Sequence, residues 1–334
     1  MAEKSLRSIT VLEPGPLATI QDRGRFGFRA MGVPISGAMD LQALRVGNLL
    51  AGNRDADAGV EITLGGFRAR FHGNSGFALS GAARPAYLNG NPVVFWQAYR
   101  AKDGDVLTIG DVPPAGRYGR SLPGNARVEY PAAGIRIYLA VSGGIDLPPV
   151  MGSRSTYLRG GFGGLGGRRL LPGDTLQLGV PVGKLKEKPA PAELVPRYSS
   201  QPVLRAIPGP QDDRVLDEGK STFFSRVYEV SPRADRMGIA LTGPSLELRG
   251  GADIVSDGTC PGAVQVHGNL QPTILTADCQ TAGGYVKIAT VVSADLPLVA
   301  QLSPGDRVTF EEISLWQARE IYLRNEYLLR TLSK

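Results

Sequence analysis

Two stretches of the chain carry more hydrogen-bonding side chains than a core element needs. Between residues 15 and 53, Gln21, Asp22, Arg23, Arg25, Asp40 and Asn48 stand among small and apolar residues. Between 255 and 306, Gln265, Gln271, Asp278, Gln280, Thr281, Lys287, Asp295 and Gln301 are spread through strand-like apolar residues. Amides and carboxylates dominate, the composition of a pocket that reads a small, polar, amide-like molecule by hydrogen bonds. A carboxylate there can accept a proton, and a lysine or arginine can hold an oxyanion. Gly283 and Gly284 would let the backbone come close to a ligand beside Tyr285 and Lys287. The first stretch has a second reading, in which Arg25 pairs with Asp22 or Asp40 as a buried ion pair that fixes the fold. Both readings stand at this point.

A third stretch, "GSRSTYLRGGFGGLGGRRLLPGD" from residue 152, places Gly161, Gly163 and Gly166 in a formal G-x-G-x-x-G. That fingerprint needs a helix after it, so that a pyrophosphate meets a helix N-terminus. A turn and a strand follow instead, which rejects the dinucleotide reading. Arg154, Ser155, Thr156, Arg159 and Arg168 around the glycines could close over a carboxylate or phosphate. The alternative is a long flexible hairpin. Cys260, His267 and Cys279 have the spacing C-x6-H-x11-C, which matches no standard zinc site and offers three ligands, so no metal is expected. His72 and His267 are the only histidines, which argues against a Ser-His-Asp triad and leaves acid-base work to carboxylates, lysines or tyrosines.

The rest of the composition bounds the class. The chain has 334 residues, 42% hydrophobic and 20% charged, enough for two domains with real cores. Net charge is +6 and the 37 lysines and arginines form no run along the sequence, which argues against nucleic acid as a partner. No segment is apolar for long enough to be a membrane helix. "MAEKSLRSITVLEPG" has no apolar core of a signal peptide, and two cysteines make no disulfide framework, so a cytoplasmic setting is expected.

The elements that must position these residues are mainly β, with a few helices. Forty-four glycines and 25 prolines punctuate short runs rich in Val, Ile, Leu, Phe and Tyr. "KDGDVLTIG" at 102, "LPGDTLQLG" at 171 and "SPGDRVTFEE" at 303 each read as a Gly-Asp turn followed by a strand. A helix is expected near 37–51, capped by Ser36 and ended by Gly52, and a terminal helix begins with Ser314 and Gln317 in capping-box spacing. "GKLKEKPAPAELVP" reads as a linker. It divides the chain into an N-terminal β-rich domain over 1–182, a linker over 183–200 and a C-terminal domain over 201–334. In "AGGYVKIAT", strand alternation puts Tyr285, Lys287 and Ala289 on one face and Val286, Ile288 and Thr290 on the other.

Six motifs resemble, in order and from about residue 9 to 318, those of the allophanate hydrolase subunit 2 family. They are "TIQDRGRFGFRAMGVPISGAMD", "NLLAGN", "YLAVSGGIDLPPVMGSRST", "GGLGGRRLLPGD", "SPRADRMGIALTGP" and "GAVQVHGNLQPTILTADCQTAGGYVKIATVVSADLPLVAQLSPGD". The family is also called the biotin-dependent carboxyltransferase family and the 5-oxoprolinase C-subunit family. The resemblance implies cyclophilin-like β-barrel domains and a B-type companion protein. In fused urea carboxylases the equivalent pair moves CO2 from carboxybiotin to urea. In free-standing bacterial versions it works with a third subunit in ATP-dependent opening of 5-oxoproline to glutamate. A further relative is described as an antagonist of a kinase inhibitor, a binding function.

The resemblance implies roles for the residues singled out above. Asp278 or Asp22 would accept a proton, Lys287 and Arg25 would hold an oxyanion, and Gln265 and Gln271 would orient the amide. Gln21, Asp40, Asn48, Arg154, Ser155, Thr156, Thr281, Gly283, Gly284 and Tyr285 would complete the binding set. The chain has neither a biotin-acceptor "AMKM" nor a "GxxxxGK[ST]" loop, so ATP or carboxybiotin would arrive through partner subunits. A chain of this length, unfused, favours ring opening over carboxyl transfer. Three positions depart from the family pattern: Cys279 for arginine in "ADRQT", Val286 for proline in "GGYPKI" and His267 for proline in "QVPGNGQP". Loss of a guanidinium fork at 279 bears on which substrate is held.

Overall fold

The computed structural model describes residues 7–110 and 133–333, which fall into two compact units. The first is drawn from Met1–Gly24, Leu41–Val195 and Leu329–Lys334, the second from Arg25–Asp40 and Pro196–Leu328. Residues 25–40, early in the chain, therefore group with the later unit. Much of the stretch read as a linker is fixed on the first unit. The Lys186 N–H donates to Leu50 O at 2.9 Å, the Ala190 N–H donates to Trp96 O at 2.8 Å, and Leu194 is buried.

In the first unit, β1 (Ser8–Pro14) and β2 (Leu17–Gln21) precede α1 (Leu41–Leu50). Then come β3 (Gly59–Thr63), β4 (Phe67–His72), β5 (Ser75–Gly81), β6 (Ala86–Leu88), β7 (Asn91–Pro92), β8 (Gln97–Ala101), β9 (Val106–Ile109), β10 (Arg136–Val141) and β11 (Thr175–Gln177). They form a six-stranded sheet, β11-β1-β4-β9-β6-β7, and a five-stranded sheet, β2-β3-β10-β5-β8. Strands β5 and β10 are buried at every residue, because the sheet they share is covered on both faces. On one side Phe77 meets Phe71 of the other sheet, with ring centroids 5.4 Å apart. On the other the Ser80 hydroxyl donates to Ala43 O of α1 at 2.6 Å. The helix expected from residue 37 begins at Leu41, since Gly37 takes a positive φ of 82° that a helix cannot use, and the Ser36 hydroxyl, expected as its cap, is buried without a partner among the described residues. Gly52, with φ of 75°, closes it as expected.

The second unit runs β12 (Val203–Pro208), α2 (Asp217–Ser225), β13 (Tyr228–Ala234), β14 (Gly238–Thr242), β15 (Asp253–Gly258), β16 (Ala263–Val266), β17 (Pro272–Leu275), β18 (Ala282–Val291), α3 (Leu296–Ala300) and β19 (Arg307–Glu312). Helix α4 (Leu315–Ser333) follows, opened by the expected reciprocal cap: Gln317 Oε1 accepts from the Ser314 N–H at 2.8 Å, and Ser314 Oγ accepts from the Gln317 N–H at 3.3 Å. The sheet order β12-β19-β13-β14-β17-β16-β18 closes on itself through a further β12–β18 pairing, which makes a barrel, and β15 adds to the other half of β18. Inside are Leu204, Val230, Ile239, Val264, Ile274, Val286, Ile288 and Phe310, plugged by Phe223 of α2 at 4.2 Å from the Phe310 ring. Val286 and Ile288 point inward as their alternation requires. Ala289 and Val291 also join the core, against the expected phase, because Ile288 is the extra residue of a bulge where Val264 pairs Ala289 and Gln265 pairs Lys287.

Tyr228 sits in this core fully buried, its hydroxyl without a hydrogen-bond partner among the described residues. Burial pushes its phenol up to about 12. An unsatisfied buried hydroxyl costs about 1–3 kcal/mol, so Tyr228→Phe is expected to leave stability unchanged or raise it by about 1 kcal/mol. Urea unfolding of the two proteins checks this. Because the folded-state pKa is raised, stability should also fall as pH climbs from about 10 towards 12 in the parent, and Tyr228→Phe should lose that alkaline slope.

Candidate functional site

Alternation against the inward Val286 puts Tyr285 and Lys287 on the outer wall of the barrel, with Gln265 and His267 of the β16 end. Lys287 is 3% exposed and Gln265 fully buried on that wall. Lys287 Nζ donates to Asp257 Oδ2 of β15 at 3.1 Å, and Gln211 Nε2 donates to the same oxygen at 3.2 Å. The Lys287 hydrogen bond, with the Gly258 N–H and Gln211, holds the Asp257 carboxyl below the usual carboxylate range. Gln265 Oε1 accepts from Gln280 Nε2 at 3.0 Å, and Gln265 Nε2 is buried with no partner among the described residues. Gly283 faces that amide directly: a Cβ there would lie 2.6 Å from Gln265 Nε2, so only glycine leaves the amide its place.

Segment 25–40 of the same unit brings a guanidinium to this wall. Arg29 Nη2 donates to Thr259 O at 2.5 Å and to Thr281 O at 3.4 Å, while its Nη1 is buried without a partner among the described residues. Arg29 stands beside Cys279, whose thiol is pushed up by burial and drawn down by the guanidinium. The position that departs from the family's arginine thus faces an arginine from elsewhere in the chain. The other departures have structural uses as well. His267 packs on the Tyr285 ring at 4.5 Å, and the Val286 N–H, which proline would lack, donates to Ala252 O at 2.9 Å.

The remaining expected residues of this unit have these surroundings. Asp278 is gripped by the Arg236 fork, Nε to Oδ2 at 2.8 Å and Nη2 to Oδ1 at 3.1 Å, and Arg236 Nη2 also donates to Gly37 O at 2.6 Å. Gln271 Oε1 accepts from the Gly243 N–H at 2.7 Å near the β16–β17 turn. Asp40 is fully buried and accepts from Tyr198 Oη at 2.6 Å and Gln301 Nε2 at 3.0 Å. Arg25, also fully buried, donates its N–H to Ile35 O at 2.8 Å. Asp295 is tied to Arg205, and Gly284 lies on β18 opposite Ile254 O.

In the first unit, Gln21, Asp22, Arg154, Ser155 and Thr156 come together. Asp22 accepts from the Gly24 N–H at 2.8 Å, Ser153 Oγ at 2.7 Å, the Arg154 N–H at 2.5 Å and Ser155 Oγ. Three of these donors go to Oδ1 and the Arg154 N–H alone goes to Oδ2, which makes Asp22 the hub of a turn. Gln21 Nε2 donates to Thr19 Oγ1 and Thr156 O, and its Oε1 is buried without a partner among the described residues. Asn48 is apart from them, donating to Asp57 O at 2.7 Å and accepting from Asn53 at 3.0 Å. The glycine-rich loop is closed on itself by the Tyr157–Phe162 pairing, and a Cβ at Gly164 would strike Thr156 Oγ1. Arg168 is held by Asp174 of its own turn, and this bond lowers the Asp174 carboxyl.

Sequence reasoning missed Arg29, Arg236, Gln211 and Asp257 as neighbours of the site. Arg29 and Arg236 lie within the family motifs but were given no role, Asp257 comes near Lys287 through the pairing of β15 with β18, and Gln211 through its own hydrogen bonds to the Lys287 backbone.

A closed barrel carrying amides and cations on its outer wall, preceded in sequence by a two-sheet unit, is the architecture of a carboxyltransferase-domain protein. The chain belongs to that family: the family model for the carboxyltransferase domain, subdomain A and B, matches residues 31–119 and 125–312. It is 39% identical over 313 residues to the 5-oxoprolinase C subunit of Escherichia coli, covering 93% of each chain. It is 34% identical over 324 residues to the 5-oxoprolinase C subunit of Haemophilus influenzae, covering 96% of each. The crystal structure of the K. lactis urea amidolyase superposes with a TM-score of 0.88 at 30% identity, over 99% of this chain and 20% of that one. The chain therefore spans about a fifth of that fused protein. Among the described residues, no helix is long and apolar enough to cross a membrane.

Proposed function

We propose that this chain is the C subunit of a 5-oxoprolinase, acting with a B-type partner and a third subunit in the ATP-dependent hydrolytic opening of 5-oxoproline to glutamate. The observation that carries the reading is the unpartnered, fully buried Gln265 Nε2 beside Lys287, supported by near full-length similarity to the C subunits of two 5-oxoprolinases. A lactam ring offers what this wall lacks. Its carbonyl oxygen accepts from Gln265 Nε2, and its carboxylate meets Arg29 Nη1. Lys287 Nζ then stabilises negative charge as it builds on the carbonyl oxygen. Asp278 and Asp22 act as positioning residues in this scheme, since their oxygens are already engaged. ATP is left to the partner subunits.

The experiment is reconstitution. The three subunits together should convert 5-oxoproline to glutamate with ATP consumed, and this chain by itself should not. Full-rate turnover by this chain alone would overturn the division of labour. A second reading, carboxyl transfer from carboxybiotin to urea, is supported by the fold similarity to the K. lactis urea carboxylase, TM-score 0.88. Urea-dependent consumption of carboxybiotin in place of lactam opening would establish that reading instead.

A further inference from the structure

The first unit holds a cleft of about 650 Å³, the size of a small-molecule site. Its charged lining is nearly of one sign: Arg7, Arg100, Lys102, Lys184 and Lys186 against the single acid Glu187. Several arginines elsewhere are answered by carboxylates. Arg45, Arg68, Arg136, Arg154, Arg168, Arg205 and Arg236 all make ion pairs. None of the five cleft cations has an ion-pair partner among the described residues.

The lining segments are held in place. Arg100 and Lys102 come from β8 and its end, the edge of the five-stranded sheet, where cations also serve to discourage edge pairing. That account does not reach the lining segment 183–187. There the Gly183 N–H donates to Gly52 O at 2.9 Å and the Lys186 N–H to Leu50 O at 2.9 Å. Leu185 fills the dent left by the missing side chain of Gly76, where a Cβ would lie 2.3 Å from it. Lys184 and Lys186 flank this anchored leucine and line the cleft. Arg7 also lines the cleft, donating to Gly179 O at 2.5 Å and Ser75 Oγ at 3.4 Å, and burial pushes its guanidinium down. A cleft lined by cations from three segments of the chain focuses potential on whatever enters it.

We propose that this cleft binds a small polyanion, a molecule carrying two or more phosphate or carboxylate groups. The site lies wholly within the first unit and does not depend on which reaction the second unit serves. The test is calorimetric titration of the full chain at low ionic strength with inorganic tripolyphosphate and, separately, citrate. One saturable site is expected with Kd below about 1 mM, weakening as salt rises. Lys184→Glu combined with Lys186→Glu should weaken it at least about tenfold. Arg319→Glu with Arg324→Glu on α4, the same change of net charge outside the cleft, should not. Thermal unfolding of both double variants confirms that they fold. Tighter binding of tripolyphosphate or of citrate identifies phosphate or carboxylate as the preferred group. No saturable binding of either, or equal weakening by both double variants, would overturn the proposal. So would a hexaglutamate peptide that binds while both small anions fail, which would make the cleft a dock for an acidic protein segment.

Discussion

Lys287→Met is expected to slow the reconstituted complex by about 100-fold or more, some 2.7 kcal/mol of transition-state stabilisation, while the fold stays intact. The structure separates the two effects. Lys287 is buried, but its ion-pair partner Asp257 has a side chain 53% exposed, so removal of the ammonium returns that carboxylate to water and strands no buried charge. The stability change should stay within about 1 kcal/mol. A second readout follows from the bond itself. With Lys287 gone, the Asp257 carboxyl loses the largest cause of its lowered pKa and should titrate at higher pH, which NMR can follow. The parent pair stabilises above the ordinary carboxylate range and loses that contribution as pH falls through the Asp257 pKa. A rate change below about threefold would make Lys287 scaffold and turn the chain towards a binding role, the antagonist reading of the family.

The second large effect is on stability. Arg236→Met should cost about 3–5 kcal/mol in urea unfolding, because Asp278, 4% exposed, keeps its charge and loses both arms of the fork. Pairing it with Asp278→Leu removes the stranded charge and should recover most of the loss. That double variant also separates the roles weighed for Asp278. Activity retained in a refolded double places the carboxylate outside the chemistry; activity lost by a stable double would return it to the role of proton acceptor.

Much of the fold was legible because local signals agreed with it. All three Gly-Asp turns lead into strands, β9, β11 and β19, and the Ser314–Gln317 cap forms as its spacing requires. The face shared by Tyr285 and Lys287 was legible up to Ile288, where a bulge, which leaves no mark in a single strand's alternation, resets the phase. Polarity in buried places was legible too, but its use was not. Asp22 and Asn48 read the same as Gln265 in sequence, and only the partners around each tell an engaged side chain from an amide left open. The cleft cations look dispersed because they come from 7, 100–102 and 184–186, three segments that meet only after folding.

The grouping of residues 25–40 with the later unit sets an order of events during synthesis. This stretch leaves the ribosome before any residue of 196–328 exists. At about 5–20 residues per second it waits on the order of ten seconds for the strands it will join. Its Gly37 carbonyl and Arg29 guanidinium have no binding partner until then, since Arg236, Thr259 and Thr281 are all made later. Contacts that distant in sequence close slowly and reward the chain late. The barrel's outer wall is therefore finished last, and a fragment beginning at residue 196 would leave the ribosome with Asp278 paired but its Arg236 without the Gly37 carbonyl, and Thr259 and Thr281 without Arg29.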